Sequence, residues 1–421
     1  MKARQPTAID LFSGAGGLSL GLQRAGFDVL LSSDNDSAAA RTHERNLSGI
    51  RHWQGDIEKL TSRHVLRLTG LATGELDLLT GGPPCQGFSM IGARRVDDPR
   101  NGLFREFLRI ASALRPKAIL MENVPGLTTA VNGTVTEAIL GEFSAAGYEA
   151  RVAELLAAQY GVPQMRWRIV FVAFRPDLLV GPGLGFPAPT HGRRRIGELI
   201  PNCTVSPSDS EGFVTTDEAI GDLPPLMAGE EADRYTGHPT CLYQKLMRSG
   251  LESELFNHYA PRLAPQTLAR IRALRPGQDW RDLPRVLLPG SMKRALRKDH
   301  TRRYSRMTWN GVPRAIITRF RDPKTGEYTH PEQDRTISIR EAARIQSFPD
   351  WFAFEGTRGE QYVQVGNAVP PLLGQALASE IRACLEGNAS FRLDDPFLRR
   401  PALRQAHLRF GTRAGTSAGH A

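Results

Sequence analysis

Only four cysteines occur in the sequence, Cys85, Cys203, Cys241 and Cys384, and they lie far apart with no metal-ligand spacing. That scarcity argues against a disulfide scaffold and a cysteine-based zinc module, and it suits a reducing compartment. A run of about eighteen apolar residues is also lacking, so no membrane-spanning helix is expected. The opening residues, MKARQPTAIDLFSGAGG, hold no apolar signal core or small-residue cleavage site, which points to the cytoplasm. No internal repeat is visible. Acidic residues are in deficit: 44 against 54 Lys and Arg leave a formal charge of +10 over 421 residues. The isoelectric point is near 9.7. Such a balance suits a polyanionic partner, nucleic acid before membrane, because no basic amphipathic anchor is evident. At 40% hydrophobic and 23% charged residues the chain is neither disordered nor fibrous.

What is present has two textures. The first 185 residues alternate short apolar runs with amphipathic ones. Strands are expected at Ala8–Leu11, Val29–Ser33, Leu76–Thr80, Ala118–Glu122 and Ile169–Phe174. Helical patterns fall between them at Gly17–Ala25, Ser37–Asn46, Phe104–Leu114 and Thr136–Ala146. This alternation predicts an α/β fold, a doubly wound and mostly parallel Rossmann-like sheet with its site beyond the carboxyl ends of the strands. From about Gly181 the text becomes rich in Pro, Gly and Arg, with a short helical piece at Pro265–Leu274. Between Ser291 and Arg321 basic residues crowd around Tyr304, Trp309 and Phe320. Helical regularity returns at Ile339–Phe348 and Pro370–Cys384. The expected organisation is a core of residues 1–180 and 336–390, a smaller inserted domain at 181–335, and a basic tail at 391–421.

Polar features gather after the expected strands. Asp10-Leu11-Phe12-Ser13-Gly14-Ala15-Gly16-Gly17 leaves the first strand and opens a helix, where glycines admit a ligand to the backbone and the helix start favours an anionic group. A bare Gly-rich turn would read the same way. Asp34 follows about 20 residues later, where an acid can accept hydrogen bonds from ribose hydroxyls. Asp56 could accept from an exocyclic amine. Either acid alone reads as a helix cap; together they describe an adenosine pocket. In Gly81-Gly82-Pro83-Pro84-Cys85-Gln86-Gly87-Phe88-Ser89, two prolines at a strand end present the thiol on a stiff loop. A reactive Cys85 needs cationic or helix-end help to become thiolate. Glu122, ending an apolar strand before Asn123-Val124-Pro125, can donate a proton or hold a base edge, or else serve as a cap or ion pair.

These segments together resemble the DNA (cytosine-5) methyltransferases, bacterial enzymes of restriction–modification systems among them. The resemblance rests on DLFSGAGGLSLGL at 10–22, GGPPCQGFS at 81–89, MENVPGL at 121–127 and QYGVPQMRWRIVFVA at 159–173. TISIREAARIQSFPDWF at 336–352 and VGNAVPP at 365–371 complete it, in the family's order, with the family's target-recognition region falling at 181–335. It implies that Cys85 attacks C6 of a cytosine flipped out of double-stranded DNA, that Glu122 holds N3 and the exocyclic amine, and that Arg166 and Arg168 lie near the base O2 and a neighbouring phosphate. S-adenosylmethionine is the implied methyl donor and S-adenosylhomocysteine the product, with no metal. Phe12, Gly14, Gly16 and Gly17 would line its methionine side, Asp34 the ribose, and Asn35, Asp56 and Ile57 the adenine. Leu103 and Asn367 would form the remaining wall. Asn35 stands where many members have a bulkier residue, and Met165 replaces a commoner basic one. Gln86, Ser89, Arg302, Arg303, Arg306 and Arg319 would contact DNA, with Arg306 and Arg319 the candidate guanine readers if they do not touch phosphate. A monomer, paired functionally with a cognate endonuclease, fits this picture.

Three other readings compete. One branch sharing these motifs methylates tRNA, but is usually more compact where this chain has its long insert. A nicotinamide-dependent oxidoreductase would use the glycine loop, yet leaves Pro84-Cys85 and the two arginines without a role and lacks strict G-x-G-x-x-G spacing from Gly14. A decayed DNA-binding homologue would not need Cys85, Glu122 and both arginines intact.

Overall fold

The computed structural model describes residues 4–84, 102–129, 134–178, 186–192, 211–251, 253–293 and 302–387. The first half of the chain builds strands β1 (Thr7–Leu11), β2 (Asp28–Asp34), β3 (Arg51–Gln54), β4 (Leu78–Gly81), β5 (Ala118–Asn123), β6 (Glu149–Leu156) and β7 (Trp167–Phe174). Helices α1 (Gly17–Arg24), α2 (Ser37–Asn46), α3 (Ser62–Thr69), α4 (Gly102–Leu114), α5 (Gly126–Thr129) and α6 (Thr134–Ala145) connect them. The seven strands form one sheet in the order β3-β2-β1-β4-β5-β7-β6. Pairings from β3 through to β5 are parallel, whereas β7 runs antiparallel to both β5 and β6. The mostly parallel, doubly wound architecture expected from the sequence is therefore present. Its strand order reverses between β1 and β4, and a crevice for a ligand opens at such a switch point.

Period-two alternation sends successive residues of each buried strand to opposite faces. Ala8, Leu78, Leu120 and Val172 join a core completed by Leu18 and Leu22 of α1. Ile9, Leu79, Met121 and Phe171 face the other way, onto Phe107 and Ile110 of α4 and Phe143 of α6. Burial on both faces is why these strands read as continuous apolar runs.

The second half contributes β8 (His191–Gly192) paired with β9 (Glu211–Gly212), and β10 (Glu231–Arg234) antiparallel to β11 (Glu254–Tyr259). Its helices are α7 (Thr216–Ile220), α8 (Leu242–Arg248), α9 (Pro265–Arg272), α10 (Gly290–Lys293), α11 (Ile339–Ile345), α12 (Arg358–Asn367) and α13 (Pro371–Leu385). Ser338 caps α11 through a reciprocal capping box with Glu341. Ile220, Tyr243, Met247, Leu255 and Phe320 share one core with α11, while Leu274, Trp280, Leu283, Met292 and Tyr304 form a small cluster of their own. The fully buried Arg344 fastens this arrangement: it pairs with Asp350 at 2.7 Å and with Asp222, just after α7. Described residues of the expected insert thus belong partly to the main core and partly to a small cluster of their own.

Helix α13 returns to pack along α1. Gly21 makes the approach possible: a Cβ there would lie 2.7 Å from Gln375 N and 2.8 Å from Pro371 O. Residues just before α13 are thereby brought beside the first glycine loop.

Candidate active site

The loop leaving β1 turns through three left-handed residues, Phe12 at φ 57°, Gly14 at φ 53° and Gly16 at φ 97°. A side chain on Gly14 would meet only open space. Gly14 N donates to Asp34 Oδ2 at 2.7 Å, and Asp36 N donates to Asp34 Oδ1 at 2.9 Å. The Asp34 carboxylate therefore locks the loop to the end of β2, and each of its oxygens retains accepting capacity. Asp36, in turn, caps α2 by accepting from Ala38 N and Ala39 N. Asp56 accepts from Glu58 N at 3.1 Å at the turn after β3. Three neighbouring strands thus end in acids or an open glycine on one rim.

That rim borders a cavity of about 730 Å³. Of the expected cofactor residues, Phe12, Gly14, Asp34, Asn35, Asp56, Ile57, Leu103 and Asn367 all line it. Gly16 and Gly17 do not. A Cβ on Gly16 would strike Leu47 and His43 at 2.7 and 2.8 Å, and one on Gly17 would lie 2.2 Å from Val369 O. At both positions the missing side chain lets a neighbouring part of the fold approach the loop. For an adenosine-bearing cofactor the fit is good: an open glycine and free carboxylate lone pairs face an apolar wall of Ile57 and Leu103.

The far wall holds the other chemistry. Glu122, at the end of β5, pairs with Arg168 Nε at 2.5 Å, both side chains about 11% exposed. Burial pulls the Arg168 guanidinium below its ordinary pKa, and Glu122 pushes it back. Pro83 and Pro84 line the same cavity, and Asn123 Nδ2 donates to Pro83 O at 2.9 Å. Cys85, Gln86 and Ser89 lie outside the described residues. Arg166 lines the same cavity. It is buried, with Nη1 donating to Ile316 O at 2.6 Å and Nη2 to Gly366 O and Ala368 O, each at 3.0 Å. Its two terminal nitrogens thus tie main chain of the wall together. Burial, then repulsion from Arg168, lowers its pKa well below the ordinary value, against an opposing pull from Glu122.

One residue of the cavity escapes a reading of the sequence. Asp10, in the apolar run of β1, is buried and lines the cavity; Oδ2 accepts from Ser19 Oγ at 2.5 Å while Oδ1 has no partner. Burial pushes its pKa up to about 7, partly offset by Ser19 and reinforced by Asp34. An acid inside an otherwise apolar strand is the signal that could have found it. Among the described residues no group of His, Cys, Asp and Glu could hold a metal ion.

With this geometry in view, comparison with known proteins decides the family. The profile of the C-5 cytosine-specific DNA methylases matches residues 7–383. The chain belongs to that family. It is 32% identical to the Type II methyltransferase M.AgeI of Thalassovita gelatinovora, over 90% of this chain and 99% of that one. It is 36% identical to the Type II methyltransferase M1.HphI of Haemophilus parahaemolyticus, over 89% and 86%. The solved structure of a prophage-encoded E. coli protein assigned as a DNA modification methyltransferase superposes with a TM-score of 0.67 at 25% identity, covering 90% of this chain and 99% of that one.

This DNA (cytosine-5) methyltransferase carries its insert arginines in unequal states. Arg306, a candidate guanine reader on sequence grounds, is buried: it donates to the carbonyls of Ile271 and His330 and pairs with Asp334 at 2.8 Å. Its guanidinium thus ties main chain of the insert together. Arg302 pairs with Glu327 at 3.2 Å and Arg303 is half-buried. Arg314 and Arg319 are exposed, on either side of Ala315–Thr318, which lines the methyltransferase cavity.

Proposed function

We propose that the protein transfers a methyl group from S-adenosylmethionine to C5 of a cytosine flipped out of a specific double-stranded DNA sequence, through a covalent bond between Cys85 Sγ and C6. The observation that carries this reading is a single cavity joining an adenosine-compatible rim, at the ends of β1, β2 and β3, to the Glu122–Arg168 pair at the end of β5 and the start of β7. C5 of cytosine is a poor nucleophile until C6 is saturated, so a covalent adduct splits one hard step into easier ones. The Cys85 thiolate forms the S–C6 bond, and the displaced π electrons raise the nucleophilicity of C5. Glu122, entering as the carboxylic acid, hydrogen-bonds N3, gives it a proton as the ring loses aromaticity and takes that proton back as the ring is restored, while Arg168 keeps the carboxyl oriented. The bound cofactor supplies an electrophilic methyl group. Loss of the C5 proton to a base then restores the double bond and expels Cys85 as thiolate.

Reaching the base requires taking it out of the stack, at about a few kcal/mol, which phosphate and cavity contacts offset. Exposed Arg314 and Arg319 beside the cavity suit that task. The Type II names of the relatives support a place beside a cognate restriction endonuclease; in this reading the enzyme acts as a cytoplasmic monomer. DNA containing 5-fluorocytosine tests the mechanism, because fluorine cannot leave C5 as a proton does. Wild-type protein is expected to form a denaturant-stable adduct on such DNA, and Cys85→Ser to form none. A Cys85→Ser protein with undiminished turnover would refute the covalent route.

A further inference from the structure

The rim at the ends of β1, β2 and β3 carries charge of one sign. Asp10, Asp34, Asp36 and Asp56 line it, and among the described residues the lining cations, Arg166 and Arg168, both belong to the far wall. Asp36 caps α2 and Asp56 caps the turn after β3, both exposed to water. Asp10 differs. It is 1% exposed, its Oδ2 accepts from Ser19 Oγ, and its Oδ1 has no partner among the described residues. Behind Ser19, His43 Nε2 lies 3.2 Å from the same hydroxyl, but burial pulls that imidazole down to about 3, so it brings no positive charge. Burial opposes ionisation of Asp10, and the neighbouring Asp34 opposes it further. A cation in the cavity would relieve both penalties and occupy the idle oxygen.

We infer that Asp10 makes the cofactor rim sense the charge of its ligand, favouring the sulfonium cofactor over its thioether product. This rests on the proposed function, which puts S-adenosylmethionine on that rim. S-adenosylmethionine carries a sulfonium and an ammonium against one carboxylate. S-adenosylhomocysteine keeps the ammonium and the carboxylate and is neutral overall. When the methyl group passes to C5, the electron pair of its bond stays on sulfur, so the ligand loses one positive charge in the step that methylates the base. The pull of a buried carboxylate therefore falls as the product forms, which eases exchange of the spent cofactor. The exposed acids discriminate far less, because a charge in water feels another several-fold more weakly than one inside the protein.

Calorimetry with each ligand in turn, without DNA, tests this on wild-type, Asp10→Asn and Asp56→Asn protein. Asp10→Asn keeps the shape and removes the charge. It should weaken S-adenosylmethionine by roughly tenfold more than S-adenosylhomocysteine, the loss expected when a charged hydrogen-bonding partner is withdrawn. Asp56→Asn should leave the ratio of the two Kd values nearly unchanged. Ser19→Ala removes the hydroxyl that favours the Asp10 carboxylate ion, so it should move the ratio in the same direction as Asp10→Asn. It gives the answer if Asp10→Asn fails to fold. A purely structural role for Asp10 would weaken both ligands alike. That result, an unchanged ratio in folded Asp10→Asn or Ser19→Ala protein, or an equal shift in Asp56→Asn, would overturn the inference. Failure of the wild type to bind either ligand would instead refute the functional reading beneath it.

Discussion

Replacing Gly21 by alanine separates a packing glycine from an idle one by the sign of its effect. Alanine is ordinarily the better helix residue by about 0.5–1 kcal/mol, because glycine gives up more backbone freedom on folding. At Gly21 the added methyl would lie 2.7 Å from Gly374 C and Gln375 N and 2.8 Å from Pro371 O, all main chain of α13. Those atoms cannot rotate away, so α13 must withdraw by a substantial fraction of an ångström. Overpacking of this kind costs about 1–3 kcal/mol. The net expectation for Gly21→Ala is a loss of about 1–2 kcal/mol. Gly141 in α6 has nothing within 4 Å of an added Cβ, so Gly141→Ala should gain about 0.5–1 kcal/mol. Equilibrium urea denaturation of the three proteins reads both numbers. Because α1 follows the glycine loop and α13 follows Asn367, Gly21→Ala should also weaken S-adenosylhomocysteine binding, whereas Gly141→Ala should not. A Gly21→Ala protein as stable as Gly141→Ala would refute the close-approach account of α1 and α13.

Other outcomes follow from the same geometry. Glu122→Gln should lower turnover by about 10²–10⁴-fold, the usual contribution of a positioned acid, with cofactor affinity nearly unchanged; steady-state kinetics showing an equal loss in both would move Glu122 out of the base pocket. Asp10 holds its proton to about pH 7 in the folded protein against 3.8 when unfolded, so its contribution to stability is fully present below 3.8 and is lost as pH rises toward 7. Between pH 5 and 7 wild type should lose about 1.4 kcal/mol per pH unit relative to Asp10→Asn, and parallel urea-stability curves would refute that assignment. Neutralising Arg314 and Arg319 should reduce the slope of log K against log salt by roughly 0.9 for each phosphate that is no longer neutralised, an effect that salt titration of DNA binding detects. Arg306→Ala should instead destabilise the fold, by about 1–3 kcal/mol for the buried carbonyls left without their donor, in thermal or urea melts.

Much of the sheet was legible because its strands are buried on both faces, which writes them as apolar runs: Ala118–Glu122 and Ile169–Phe174 each match an observed strand to within two residues at either end. Strands β3 and β6 escaped. They are the two edges of the sheet, and RHWQ and EARVAELL carry the polar, solvent-facing residues that edges require. Helix α12, RGEQYVQVGN, was hidden by its polarity and its glycine, and is held by a Thr357–Glu360 capping box and by packing. The cofactor rim was legible because strand ends and turn residues are local features. The main-chain partners of Arg166 and Arg306 were hidden for the opposite reason. Nothing in a basic residue's own neighbourhood tells whether its partners are phosphates or main-chain carbonyls 150 residues away, as Ile316 is from Arg166. Gly16 and Gly17 carry a packing requirement that the sequence does not display, since a glycine that admits a ligand and one that admits another part of the fold are written alike.

Bisulfite sequencing of DNA from cells expressing the wild-type protein tests the central claim most directly, because bisulfite spares C5-methylated cytosine and converts the rest. Protected cytosines confined to one sequence context are expected, and their disappearance in cells expressing Cys85→Ser. Complete conversion at every cytosine, in cells that contain folded wild-type protein, would contradict the assignment of this cavity to cytosine C5 methylation of DNA.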